Sequence, residues 1–91
     1  MNREKSNQAV VTIYSKPGCH LCEVAKANIL AAGCDDQFRL EEVNIEEDAY
    51  LKTRYQYDIP IILINGIKVF KHRVEPEEFR RKLSRFRPST S

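Results

Sequence analysis

Cys19-His20-Leu21-Cys22 places two thiols three residues apart with an imidazole between them. That spacing suits two chemistries, reversible dithiol–disulfide exchange and ligation of a soft metal. The flanking sequence bears on the choice. Val10-Val11-Thr12-Ile13-Tyr14 reads as a β-strand, Lys16-Pro17-Gly18 ends it, and helical periodicity begins at Cys19. Cys19 therefore falls at the N-cap or first position of a helix, where unpaired N–H groups and the positive helix end stabilise a thiolate. Cys22 lies on the same helical face about one turn further in, placed to attack a mixed disulfide formed at Cys19. His20 would, as an imidazolium, favour the thiolate and make the disulfide more oxidising.

Metal ligation has less to draw on within one chain. A closed zinc site needs four ligands, and the sequence offers no second Cys-x-x-Cys and no His pair. Cys34 lies beyond the far end of a helix roughly 20 Å long. His72 would serve only if the fold brought it across, and a cluster shared between two chains through Cys19 stays open. Cys34 itself reads as a spare thiol near a helix cap, through which two molecules would pair.

The elements that must position this motif follow from patterning. The first strand has little alternation, as expected where both faces are buried. From Cys19 to Ala32, Leu21, Val24, Ala25, Ile29 and Ala32 recur at helical spacing, and Gly33 suits a left-handed C-terminal cap. Phe38 to Ile45 reads as a second strand whose alternation slips between Leu40 and Val43, predicting an edge strand or a bulge. Glu46-Glu47-Asp48 places negative charge at the start of a short helix with Leu51 and Tyr55 as its buried stripe. Ile61-Ile62-Leu63-Ile64 and Ile67 to Phe70 flank Asn65-Gly66, a type I′ hairpin signal. Pro76 opens a last helix in which Phe79, Leu83 and Phe86 share a face.

The order βαβαββα predicts an α/β fold: two parallel strands joined by a helix, then an antiparallel hairpin and a closing helix. The expected organisation is a flexible segment over 1–8, one domain over 9–86 and a flexible tail over 87–91. A chain of 91 residues, 42% hydrophobic and 31% charged, is globular and holds one small domain. Domains of this size bury only roughly 60–65% of their unfolded surface, so every large apolar residue is expected in the core.

The longest apolar run, Ile59 to Ile64, is six residues and contains Pro60, which excludes a membrane-spanning helix. Fifteen basic against thirteen acidic residues, a net charge of +2, point to neither nucleic acid nor membrane as a partner. The basic C-terminal third, with Lys68, Lys71, Arg73, Arg80, Arg81, Lys82, Arg85 and Arg87, reads as a solvated face because no interleaved stacking aromatics accompany it. Tyr50, Tyr55 and Tyr57 read as packing residues, although Tyr14 and Tyr57 would suit the walls of a substrate groove. Three cysteines form an odd, sparse set unlike a secreted disulfide framework. With a polar Met1 to Gln8 and an Ala9–Ile13 run too short for a signal-peptide core, a cytosolic monomer is expected.

Tyr14-Ser15-Lys16-Pro17-Gly18-Cys19-His20-Leu21-Cys22, Tyr57-Asp58-Ile59-Pro60 and Ile64-Asn65-Gly66 together resemble the glutaredoxin branch of the thioredoxin superfamily, over Val10 to about Leu83. The resemblance implies a thioredoxin-like four-stranded mixed sheet flanked by three helices and a thiol–disulfide oxidoreductase acting on protein or low-molecular-weight disulfides. It implies Cys19 as nucleophile, Cys22 as resolving thiol, Pro60 as a cis-proline facing them, and Ile59 as the residue whose backbone pairs with the substrate. Lys16 matches a lysine near the thiolate and the glutathione carboxylate. No bound cofactor is implied; glutathione as co-substrate, or a reductase, would supply electrons. Where glutathione-binding members carry a Gly-Gly-x-Asp-like turn, this chain has Lys71-His72-Arg73-Val74-Glu75-Pro76, and Asp58 replaces a common threonine. The thioredoxin pattern fits less well: no tryptophan precedes Cys19, and Ile13 stands where thioredoxins keep a buried acid.

Overall fold

A computed structural model describes residues 8–34 and 36–86. The expected terminal segments lie outside the described residues, apart from Gln8. The elements are β1 (Ala9–Ser15), α1 (His20–Ala31), β2 (Phe38–Asn44), a 3-10 turn (Ile45–Glu47), α2 (Ala49–Tyr55), β3 (Ile61–Ile64), β4 (Ile67–Lys71) and α3 (Pro76–Phe86). They form one four-stranded sheet in the order β2-β1-β3-β4, with β1 and β2 parallel and the other pairs antiparallel. This is the mixed sheet with three helices that the residue patterning predicts.

Two central strands carry the core. All four residues of β3 are buried, whereas β1 alternates, with Ala9, Val11, Ile13 and Ser15 buried and the residues between them half-buried. The expectation that β1 is buried on both faces therefore needs correcting. The larger core cluster joins Val11 and Ile13 of β1, Ile62 and Ile64 of β3, Ala25 and Ile29 of α1, and Phe79 and Leu83 of α3. Phe38 meets Phe79 edge-on at 5.4 Å between ring centroids, fixing β2 to α3.

The Asn65-Gly66 turn has positive φ at both residues, 52° and 84°, as a type I′ hairpin requires. Asn65 also accepts from the Val10 N–H through Oδ1 at 2.9 Å and donates its own N–H to the Val10 carbonyl, tying the hairpin to β1. The slip in β2 is not a bulge, since its register with β1 is continuous from Ala9↔Phe38 to Ser15↔Asn44. Glu42 occupies the position where alternation calls for an apolar residue, and Lys26 and Ser15 meet its carboxylate at 3.1 and 3.3 Å. The irregularity falls instead between β3 and β4, where Ile62 pairs with Phe70 and Leu63 with Lys68, leaving Val69 as the extra residue.

The short helix begins later than the acidic run suggests. Ile45–Glu47 forms the 3-10 turn, and Asp48 caps α2 by accepting the Leu51 N–H at 3.1 Å. Not every large apolar residue is buried either. Leu21 is 54% exposed, and Val24, Leu30, Tyr50, Tyr57 and Ile67 are also exposed. The buried face of α1 is Cys22, Ala25 and Ile29, a stripe of mostly small side chains that lets the helix approach the sheet closely. No helix among the described residues is long and apolar enough to cross a membrane.

Candidate active site

The turn from β1 into α1 places the two cysteines. Gly18 adopts φ 79°, a conformation that costs L residues energy, and the Cys19 N–H closes the turn on the Lys16 carbonyl at 3.3 Å. Cys19 is the N-cap of α1, with extended backbone angles, and its Sγ accepts the Cys22 N–H at 3.2 Å. A sulfur in this position takes the place that a serine or aspartate oxygen holds in other helices. The hydrogen bond and the helix end both favour a negative sulfur at this position.

Cys19 and Cys22 are joined as a disulfide with Cα atoms 5.3 Å apart. The two sulfurs have different access: Cys19 is half-exposed, and Cys22 is 2% exposed. Cys22 packs in a second cluster with Ile45 and Ile59, bordered by Tyr14, Cys19, Leu51 and Tyr55. The Ile59-Pro60 peptide is cis. Ile59 and Cys22 thus share a cluster although 37 positions separate them in the sequence.

The remaining predicted residues surround this centre. His20 is exposed on the first turn of α1. Lys16 is exposed and lines a cleft of about 310 Å³ with Ser15, Pro17, Glu23, Glu42 and Asn44. His72, at φ 76°, donates its N–H to the Pro60 carbonyl at 2.8 Å, so the Lys71–Pro76 stretch begins beside the cis-proline.

Tyr14 turns inward against Tyr55, with centroids 5.3 Å apart, and Tyr57 is 86% exposed. Tyr50 and Tyr57 are therefore not packing residues. Burial pushes the Tyr14 phenol above its usual range, with the charges of Tyr55, Asp48 and Tyr50 adding to the shift. Tyr55 moves the other way: the Arg54 hydrogen bond, helped by the Lys68 charge, outweighs desolvation and holds its phenol below the usual range.

Cys34 is buried in the larger core cluster at 3% exposure. That corrects the expectation of pairing between two molecules, since a second chain has no path to its sulfur. Among the described residues no group of three or more His, Cys, Asp or Glu side chains is arranged to hold a metal ion. A second cavity, beside Tyr55, carries no local sequence signal, because its walls come from α2, the loop after it, β3 and β4.

A family model described as a glutaredoxin-like domain matches residues 10–84. A glutaredoxin-like protein of Dictyostelium discoideum is 28% identical over 74 residues, covering 75% of this chain and 68% of that protein. Among solved structures, a structural-genomics target protein from X. campestris superposes with a TM-score of 0.70 at 24% identity, over 82% of this chain and 96% of the other. Oxidized mitochondrial thioredoxin 3 from Saccharomyces cerevisiae superposes with a TM-score of 0.63 at 12% identity, over 90% and 82% of the two chains. At these identities the structural likeness shows a thioredoxin-like fold.

Proposed function

The chain belongs to the glutaredoxin-like domain family, and from that premise we propose that it is a thiol–disulfide oxidoreductase working through Cys19 and Cys22. The observation that carries the reading is the asymmetry of the pair. One sulfur is accessible at a helix N-cap with an N–H directed at it, and its partner is buried behind it within bonding distance.

The Cys19 thiolate attacks one sulfur of a substrate disulfide. The substrate S–S bond breaks, the departing thiolate takes a proton from solvent, and the other half remains bonded to Cys19 as a mixed disulfide. Cys22 then loses its proton, attacks the Cys19 Sγ and releases the second substrate thiol. The substrate has gained two electrons, and the protein is left as the Cys19–Cys22 disulfide. Glutathione or a reductase returns the electrons, without a bound organic cofactor.

Ile59 and Pro60 guide the substrate in this reading. Among the described residues nothing hydrogen-bonds to the Ile59 backbone, so its peptide groups are open to an extended substrate strand. Lys16, at the rim, attracts a substrate carboxylate, and His20, as an imidazolium, favours the Cys19 thiolate. We place the protein in the cytosol as a monomer.

Two variants test the mechanism with a disulfide-linked peptide. Cys19→Ser should abolish turnover. Cys22→Ser should stop after the first step and accumulate the mixed disulfide on Cys19, visible as one added peptide mass. Sustained turnover by Cys19→Ser would overturn the assignment of the nucleophile.

A further inference from the structure

Two cavities of about 310 Å³ are walled by neighbours of the cysteines, one by Lys16 and Pro17, just before Cys19, and the other by Tyr55, which borders the Cys22 cluster. In the first, the Glu42 carboxylate is already engaged by Lys26 and Ser15. The second differs. Tyr55, Asp58, Ile61, Lys68, Phe70 and Lys71 line it. Among the described residues neither Lys68 nor Lys71 takes part in an ion pair. Lys68 Nζ stands 5.3 Å from the centre of the Tyr55 ring, and the Arg54 guanidinium 5.4 Å from it, with Nε donating to the phenol oxygen at 3.3 Å. Two cations thus stand at the Tyr55 ring and Lys71 joins Lys68 in lining the cavity, where Asp58 is the single carboxylate.

We propose that this cavity is a subsite for a carboxylate side chain, an Asp or Glu near the reacting cysteine of the polypeptide substrate. The protein then selects acidic disulfide substrates. This rests on the exchange mechanism above and names its substrate class.

Position, size and charge support it. Asp58 and Ile61 place the cavity within two positions of Ile59 on either side, so a strand paired with Ile59 carries its neighbouring side chains past the opening. In an extended strand, residues two apart point to the same face about 7 Å from one another. A cavity of about 310 Å³ is at the small end of ligand sites and suits one side chain better than a larger ligand. The phenyl and aliphatic walls from Tyr55, Phe70 and Ile61 accept its methylene groups, and the lysines meet its charge. The single Asp58 carboxylate favours a basic side chain less strongly than the cations favour an acidic one.

The test compares two disulfide-linked peptides that differ only in carrying Glu or Lys two residues from the cysteine, with a small uncharged disulfide as a third substrate. The Glu to Lys ratio of kcat/KM is internal to each protein, so a change in overall rate cancels. Each lysine–carboxylate contact at a surface is worth roughly 1.4- to 5-fold. Wild type should therefore prefer the Glu peptide by about tenfold. Lys68→Glu with Lys71→Glu should bring the ratio to one or below, Lys68→Gln with Lys71→Gln should give an intermediate value, and raised salt should shrink the preference. Arg39→Glu, on β2 at the opposite edge of the sheet from β4, should leave the ratio unchanged.

Equal turnover of the two peptides by wild type, or a preference that the Lys68 and Lys71 changes leave intact, would overturn the subsite while the uncharged disulfide still reported exchange. Failure to turn over any of the three would overturn the exchange mechanism, and the subsite with it.

Discussion

Replacing Arg80 with alanine should destabilise the protein far more than its place on a basic surface helix suggests. The Arg80 guanidinium donates to the Ala32 carbonyl through Nε at 3.2 Å and Nη2 at 2.7 Å, and its Nη1 lies 3.0 Å from Glu77 Oε2. Ala32 is the C-cap of α1, the helix whose other end holds Cys19. The last carbonyls of a helix lack intrahelical partners, and positive charge there also complements the helix dipole. A hydrogen bond from a charged donor contributes about 1.5–3 kcal/mol. The Arg80 side chain is 48% exposed, which favours the low end, while the dipole adds a few tenths. Arg80→Ala should therefore cost about 2 kcal/mol, a fall of about 10 °C in Tm for a domain this small. Urea unfolding should show a lower midpoint with an unchanged slope. Glu77→Gln should cost less than about 0.5 kcal/mol, because that ion pair is exposed. Arg80→Lys should recover less than half of the loss, since an ammonium does not present the planar fork. An Arg80→Ala protein within about 0.5 kcal/mol of wild type would refute the bracing of α1 by α3.

His20→Ala should lower the reduction potential of the Cys19–Cys22 couple, since it removes an imidazole that in its protonated form favours the reduced thiolate; for an exposed charge the shift is roughly 10 mV, read against glutathione buffers, and an unchanged value would retire the role. The tyrosines should titrate in a set order by ultraviolet difference spectroscopy, Tyr55 below 10.0 and Tyr14 above it, so Tyr55→Phe removes the early part of the curve and Tyr14→Phe the late part. The signs for stability differ accordingly. Tyr55 contributes stability that is present above its unfolded value near 10.0 and is lost as pH falls through its lowered value, while Tyr14 contributes stability present below 10.0 and lost as pH rises through its raised one.

Features set by neighbouring residues were legible in the sequence. The strand end at Lys16-Pro17-Gly18, the helix start at Cys19, the Asn65-Gly66 hairpin and the Pro76 helix start are local chemistry, and each stands where the patterning puts it. What could not be read depends on which distant elements meet. Arg80 looked solvated because Ala32 lies 48 positions away, and Glu42 looked like a fault in β2 because Lys26 and Ser15 come from other elements. Leu21 and Val24 fit a helical stripe as well as Ala25 and Ile29 do, and only the direction from which the sheet approaches selects between them. Cys34 sits just past a cap in the sequence, but the chain turns its side inward beneath α1 and α3. The Tyr55 cavity needs α2 and β4 side by side, which no local pattern encodes.

The exchange mechanism is tested most directly by equilibrating the protein in glutathione buffers of graded potential, quenching with acid, alkylating, and locating each cysteine's state by peptide mass spectrometry. The account predicts a Cys19–Cys22 disulfide with a midpoint between roughly −180 and −270 mV, Cys34 reduced throughout, and any glutathione adduct on Cys19 alone. Cys19 and Cys22 remaining reduced across the whole range, with no adduct on Cys19, would contradict it.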